Sequence, residues 1–525
     1  MVSTATTLRT DPYTRAVPHE IELTGEDLTI TDVWEVAIGG GTAALSPRAH
    51  ERMRRSRELL ESIRGEHTYG VNTGFGRFVS AHIPDEHAEE LQVRLLRSHA
   101  CGVGEPYPDE IVRAALLLRA NTLAKGYSGA RIETVQLLLD CLNRGVLPVV
   151  PARGSVGASG DLAPLAHLAL PLIGEGEAWL DGRRLDGATA LREAGLEPIR
   201  LASKEGLSLV NGTQFMSAMA ALGVVRGRSL AQTADLACAL SLEALQGSRS
   251  SFQPAVHRTR PLAGQRESAD NVWRLLEGSA VIESHRWCDK VQDAYSLRCA
   301  PQVHGACRDL LGYVEATVAV ELNAATDNPL VLLEEREIVS NGNFHGQPLA
   351  FALDALAMAV AELANISERR IERLVNPSLS DGLPPFLVEE GGLNSGFMIP
   401  QYVAASLVSE NKVLAHPASV DSIPTSAGQE DHVSMGNASG LKALRVLDNA
   451  ERTLAIELLA GAQAIEFLAP LKPGRGVQAT HDFVRTLSPR LHQDRSLASE
   501  IEHVATAIRS GAVVDAVQVE VGALA

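Results

Sequence analysis

Gly342-Asn343-Phe344-His345-Gly346 runs straight into Gln347-Pro348-Leu349-Ala350-Phe351-Ala352-Leu353-Asp354-Ala355-Leu356-Ala357-Met358-Ala359-Val360-Ala361-Glu362-Leu363, and the second part of this stretch decides the fold class. Leu349, Leu353, Leu356, Val360 and Leu363 return at intervals of four, three, four and three, one apolar stripe along a long helix. Leu311, Val314 and Val318 repeat the pattern upstream, and Leu444, Leu447, Leu454 and Leu458 repeat it downstream. Period-two alternation is confined to short pieces such as Ile21-Glu22-Leu23 and Leu28-Thr29-Ile30, which read as strands. Long striped helices in one chain predict a mainly α protein with a long central helical bundle. Residues 1–20 read as a flexible tail and 21–525 as a single unit. That unit is loop-rich and mixed to about residue 125, with helical periodicity taking over from about residue 85, and the bundle core follows.

Composition agrees. The chain has 525 residues, no Ser/Gly- or Pro-rich linker and no fixed-period repeat. It is 45% hydrophobic but only 4% aromatic, so its core must be built mostly from Leu, Ala and Val, a mix that favours helices. The net charge of −17 argues against nucleic acid or an anionic membrane as a partner through a broad basic face. Arg52-Met53-Arg54-Arg55 and Arg369-Arg370 read as solvated helix faces. No apolar run is expected to span a membrane, and the polar start lacks the apolar stretch of a signal peptide. Six cysteines form neither a disulfide framework nor a zinc spacing, so the expected compartment is the cytoplasm and no metal is expected.

Loops rich in Gly, Asn and Pro interrupt the helices and hold most of the unusual polar residues. The most informative is Gly154-Ser155-Val156-Gly157-Ala158-Ser159-Gly160-Asp161-Leu162. If the backbone bends tightly here, the Gly160 amide nitrogen attacks the Ala158 carbonyl carbon and water leaves. Ser159 then loses its hydroxyl as a second water. The product is a methylidene-imidazolone ring with an electron-poor double bond, made without an outside cofactor. Glycine at 160 leaves no Cβ to block the turn. The ordinary structural reading is a glycine-rich loop ahead of a helix, with Ser159 or Asp161 as N-cap and Pro164 in the first turn.

Other polar clusters each have an ordinary reading of their own. Thr68-Tyr69-Gly70-Val71-Asn72-Thr73-Gly74-Phe75-Gly76 is a surface turn or a phosphate cradle, although it lacks the lysine of the latter. His99, ahead of Gly102-Val103-Gly104, reads as a satisfied structural histidine. Asn211, in Asn211-Gly212-Thr213, reads as a turn residue bonded to its own backbone. In Gln292-Asp293-Ala294-Tyr295-Ser296-Leu297-Arg298, Tyr295 and Arg298 share a face if helical, with Arg298 in a structural ion pair. Phe344 reads as core. Gln429-Glu430-Asp431-His432 reads as an N-terminal capping cluster in preference to a metal site, since no ligand sits at i+4.

Taken together, these segments resemble the aromatic amino acid ammonia-lyases from roughly Leu23 to beyond Glu466, in order and in spacing. The matching motifs are Tyr69 to Gly76, Ser98 to Gly104, Gly154 to Leu170, Lys204 to Thr213, Cys288 to Cys299, Asn341 to His345 and Asn394 to Met398. The block Ser419-Val420-Asp421-Ser422-Ile423-Pro424-Thr425-Ser426, continued through Gln429 to Met435, fits the histidine-specific branch best. Ala294 and Pro400 depart from residues common in relatives, and the last fifty or so residues match weakly.

The resemblance implies deamination of L-histidine to trans-urocanate and ammonia, with 4-methylidene-imidazol-5-one formed from Ala158, Ser159 and Gly160 and no external cofactor. It implies that Tyr69 is the base, on a loop that closes over the site, and that Arg298 grips the substrate carboxylate. Asn211 and Tyr295 would bond around the ring and the amine, Gln292 and Phe344 would line the pocket, and His99 and Glu430 would face the substrate side chain. The family builds each site from three chains of a homotetramer, so these residues need not share a subunit. Uptake of the substrate through its amine and through its aromatic ring both stay open. So do the rival readings: the same chemistry on tyrosine or phenylalanine, a 2,3-aminomutase, or an inactive helical scaffold.

Overall fold

In a computed structural model, which describes residues 20–62, 73–287 and 289–525, the helical expectation holds. Strands among the described residues are two to four residues long, and the helices carry the architecture. Of the expected tail only Glu20 is described. It opens the strand Glu20–Leu23, which pairs in parallel with Thr42–Leu45.

The first part of the unit is more helical than its composition suggested. It holds α1 (Ile30–Ala37), α2 (Pro47–Ser62), α3 (Ala88–His99) and α4 (Asp109–Ala124), and α5 (Ile132–Asn143) follows. Leu28-Thr29-Ile30 is not a strand. Thr29 Oγ1 accepts from Asp32 N at 3.1 Å while the Asp32 carboxylate accepts from Thr29 N at 2.8 Å, a reciprocal capping box that starts α1. In α2 the arginine run is not wholly solvated: Met53 is buried with Ala49, Ser56, Leu59 and Leu60 on the inner face.

Helices α6 (Leu162–Ala169), α7 (Gly187–Glu193) and α8 (Glu205–Val210) lead into the 31-residue α9 (Gln214–Ala244). Short helices α10 (Pro254–Arg258), α11 (Ala263–Leu275), α12 (Ala280–Ser284) and α13 (Tyr295–Arg298) precede α14 (Ala300–Glu321), α15 (Gln347–Val375), α16 (Met398–Leu414) and α17 (Gly436–Ile465). The chain closes with α18 (Arg475–Leu487), α19 (Ala498–Arg509) and α20 (Ala512–Val521).

Helices α9, α14, α15 and α17 form the central bundle, and α16 packs against α15 and α17. The predicted stripes are its seams. Leu349, Leu353, Leu356, Val360 and Leu363 are fully buried, as are Leu311, Val314 and Val318; of the α17 set only Leu444 is half-buried. Each such side chain contributes about 1.5–3 kcal/mol by leaving water. Gly223 lets α9 and α15 approach closely, since a Cβ there would lie 2.5 Å from Leu356 Cδ2.

Two expectations need correction. Arg370 is not on a solvated face: it is fully buried and donates from Nε and Nη2 to Glu457 at 2.5 and 2.9 Å. Helix α15 is long and apolar enough to cross a membrane, contrary to expectation, but 72% of its most apolar window is buried inside the fold, so its apolarity serves the core.

Candidate functional site

The strand Val103–Pro106 pairs antiparallel with Pro151–Arg153 and delivers the chain into the loop at Gly154. Two glycines are required there. Gly157 has φ +68°, and a Cβ would meet Ser434 Oγ at 2.1 Å; Gly160 has φ +73°, and a Cβ would meet the Gly212 carbonyl oxygen at 1.9 Å. Ser155 Oγ accepts from Gly157 N and donates to Asp161 Oδ1, both at 3.1 Å, and Asp161 N donates to Gly212 O at 2.7 Å. The loop is thus held in a tight bend, with Ala158 and Gly160 buried and Ser159 half-buried at its crest.

Asp161 occupies the N-cap position of α6, and Pro164 sits in that helix's first turn, but the carboxylate caps a different helix. Its Oδ2 accepts from Met216 N at 3.0 Å, in the first turn of α9. Burial pushes its carboxyl up to about 7, against the opposing bonds from Met216, Ser155 and Phe215. The start of α17 meets the same loop, where Met435 N donates to Val156 O at 2.9 Å and Ser434 Oγ to Gly157 O at 3.2 Å. A Cβ on Gly346, ahead of α15, would lie 2.5 Å from Met216 Cε and 3.1 Å from Ser434 Oγ. Three helices, α6, α9 and α17, therefore bring their positive N-terminal ends to this loop, and the start of α15 packs beside them against Met216 and Ser434.

Ser159 opens onto a cavity of about 580 Å³ that also brings together His99, Asn211 and Glu430, with Phe75, Phe78 and Leu207 among its apolar walls. His99 Nδ1 lies 3.0 Å from the Leu95 carbonyl oxygen and 2.9 Å from Ser98 Oγ. With the Ser98 hydroxyl donating to Leu95 O at 3.0 Å, both neighbours act as acceptors, which assigns the proton to Nδ1 and leaves Nε2 of the neutral ring as an acceptor. Burial lowers the pKa of His99, while the Leu95 bond and the Glu430 charge push the other way. Glu430 Oε2 accepts from Thr425 Oγ1 at 2.6 Å, and the two residues also pair through their backbones. Asn211 does not bond its own backbone through its side chain. Its Nδ2 donates to Asn328 O at 3.0 Å and to Asp327 Oδ1 at 3.3 Å.

The other expected residues lie elsewhere. Gln292, Tyr295, Arg298 and Phe344 do not line this cavity; Gln292 is exposed, Tyr295 is 71% exposed and Phe344 is half-buried just ahead of α15. Tyr295 and Arg298 do share one helical turn, α13, with the guanidinium 4.6 Å from the ring centroid. Arg298 has no ion pair among the described residues; its Nε donates to Asp293 O at 2.9 Å. Tyr69 lies outside the described residues. Gln429 to His432 is not a cap either: α17 starts behind Met435 with no side-chain cap, and the His432 ring stacks on His345 at 5.8 Å.

Several residues beside the site were missed by sequence reasoning. Asn328 lines the cavity, and Lys204 and Asp327 form a fully buried ion pair at 2.8 Å. The available signal was Asp327-Asn328-Pro329, a turn-forming triplet just past a long helix.

Residues 28–486 match the family described as aromatic amino acid lyase. Histidine ammonia-lyase of Gloeobacter violaceus is 58% identical over 504 residues, covering 96% of this chain and 98% of that protein. Among solved structures, histidine ammonia-lyase from Trypanosoma cruzi is 47% identical with a TM-score of 0.88, covering 96% of each chain. A tyrosine aminomutase from Streptomyces globisporus is 40% identical with a TM-score of 0.92, covering 97% of this chain and all of that one. With a match that spans most of its length and relatives this similar, the chain belongs to the aromatic amino acid lyase family.

Proposed function

We propose that this protein is a carbon–nitrogen lyase that converts L-histidine to trans-urocanate and ammonia. The observation that carries the reading is the cavity that sets Ser159 in one space with His99 and Glu430. His99 offers a bare Nε2 and Glu430 a carboxylate, two acceptors in one cavity whose walls are otherwise mixed, with Phe75, Phe78, Leu91, Leu95 and Leu207 beside polar groups. An imidazole supplies N–H donors to such groups; a phenyl ring supplies none and would leave a carboxylate desolvated beside it. The histidine ammonia-lyases of Gloeobacter violaceus and Trypanosoma cruzi, both similar over nearly the whole chain, support the same substrate.

Ala158, Ser159 and Gly160 fit the expected methylidene-imidazolone. The bend at Gly160 leaves no room for a side chain, and Ser159 stands on the cavity wall. When formed, this group supplies the electrophile that makes the substrate amine a competent leaving group. The protein's own part is electrostatic and geometric. Helix N-termini at the loop favour negative charge there, and the same field would lower the cost of an ionised tyrosine, which Tyr69 needs to remove the β-proton near neutral pH.

Arg298 binds the substrate carboxylate in this reading, with Tyr295, Gln292 and Phe344 beside it. They reach the cavity from neighbouring copies in a homotetramer. Two features support that assembly: their absence from this chain's own cavity, and the exposed apolar residues Phe351, Met358 and Tyr402 on α15 and α16. The acidic chain and the five free cysteines among the described residues suit the cytoplasm. The test is turnover of histidine, tyrosine and phenylalanine by the purified protein, read as near-ultraviolet product absorbance and released ammonia. Histidine should be the preferred substrate by a wide margin; preference for tyrosine, or a β-amino acid product, would replace this reading.

A further inference from the structure

Asn211 is held in one orientation by Asn328, on the cavity wall, and by the buried groups Arg119 and Asp327 behind it. Its backbone carbonyl accepts from Arg119 Nη1 at 2.9 Å, and Arg119, fully buried, also donates to Gln214 Oε1 at 2.9 Å. Its side-chain Nδ2 has two acceptors, Asn328 O at 3.0 Å and Asp327 Oδ1 at 3.3 Å. Asp327 is fixed in turn: Oδ1 accepts from Asn328 N at 2.7 Å, and Oδ2 accepts from Lys204 Nζ at 2.8 Å. Lys204 Nζ also donates to Ser208 Oγ at 3.0 Å, and both members of the pair are fully buried. The remaining amide atom, Asn211 Oδ1, is buried and has no hydrogen-bond partner among the described residues. A rotated amide would set Oδ1 against a carboxylate and a carbonyl, so this network permits one orientation only.

We infer that Asp327, anchored by Lys204, is a positioning residue that fixes the Asn211 amide with Nδ2 turned to Asp327 and Asn328 and leaves Oδ1 as the acceptor for the substrate amine expected at Asn211. This rests on the amino acid lyase reading above. With Nδ2 committed to Asp327 and Asn328, the amide presents only Oδ1 to a new partner, so the network favours an arriving N–H donor over an acceptor.

The test is a double-mutant cycle of Asn211→Ala and Asp327→Asn, read as kcat/KM on histidine, with the two-water mass deficit confirming the cofactor in every protein. Each single variant should lose roughly 10–10²-fold, the range for a hydrogen bond to a buried group. The double variant should be no worse than Asn211→Ala, because Asp327 acts through Asn211. Additive losses, or wild-type kcat/KM in Asp327→Asn, would overturn the proposal. Because Asp327→Asn leaves Lys204 unpaired, Lys204→Met/Asp327→Asn serves as a charge-free second variant. It should fold, keep the mass deficit and show the same non-additivity with Asn211→Ala; failure to fold would count against a positioning role. A wild type with neither mass deficit nor turnover of any aromatic amino acid would instead sink the underlying reading.

Discussion

Replacing Glu430 with Gln removes one charge from the cavity and keeps its shape. The glutamine amide oxygen can still accept from Thr425 Oγ1, which now holds Glu430 at 2.6 Å, and the backbone pairing of 425 with 430 is untouched. In the proposed reading the substitution removes a charge-assisted bond to the substrate imidazole, worth about 1.5–3 kcal/mol in a desolvated site. Activity on histidine should therefore fall by roughly 10–10²-fold. Activity on tyrosine or phenylalanine, where measurable, should hold or rise slightly, since the unpaired carboxylate is gone. A second consequence follows from His99. The Glu430 charge raises the pKa of His99, against the dominant lowering by burial. Without that charge the pKa drops further, so the acid limb of the kcat/KM profile, where His99 gains a proton and loses its acceptor, should move to lower pH. Turnover on all three amino acids across pH, with thermal unfolding alongside, checks both points. Equal losses on every substrate together with a lower Tm would show that Glu430 only braces its loop.

Tyr69→Phe should still form the ring but turn over more slowly by roughly 10²–10⁴, the range for a positioned acid–base group; deuterium exchange at the substrate β-carbon surviving at the wild-type rate would assign the base elsewhere. Asp161 is raised from its ordinary value of 3.8 to about 7, so the folded state holds its proton more tightly than the unfolded state. Stability from this group is present below the ordinary value and is lost as pH rises through about 7. Asp161→Asn should thus gain on wild type in Tm as pH rises from about 4 to about 7, and a pH-independent difference would contradict the assignment. Glu457→Gln strips the buried Arg370 of its counter-charge and should cost about 3–5 kcal/mol in denaturant unfolding, whereas a surface pair would cost under about 1.

How much of this was legible in the sequence depended on the range of the cause. The stripes of α14, α15 and α17 were readable because helical period is local, and all but Leu444 came out fully buried. Leu28-Thr29-Ile30 was misread because β-branched character spoke louder than the Thr29–Asp32 capping pair three residues apart. Nothing near Arg370 in the sequence marks it as buried, because its partner, Glu457, lies 87 residues away. At the site, Ser159, His99, Asn211 and Glu430 were recognised by motif and do meet in one cavity. No local pattern says that Asp161 looks across to α9, or that Lys204 and Asp327, 123 residues apart, fix the amide of Asn211. Gln292, Tyr295, Arg298 and Phe344 were named by motif too, but a single chain does not bring them to this cavity.

The central claim is that the Ala158-Ser159-Gly160 bend becomes the electrophile. Intact-mass measurement of the purified protein, with digestion to map the peptide that spans these residues, tests it most directly. The account predicts a mass two waters below that of the translated sequence, with the deficit confined to that peptide. Ser159→Ala should fold, lack the two-water deficit and lose nearly all turnover, having no hydroxyl to eliminate. A wild type of full translated mass that still deaminates histidine, or near-normal turnover in Ser159→Ala, would contradict it.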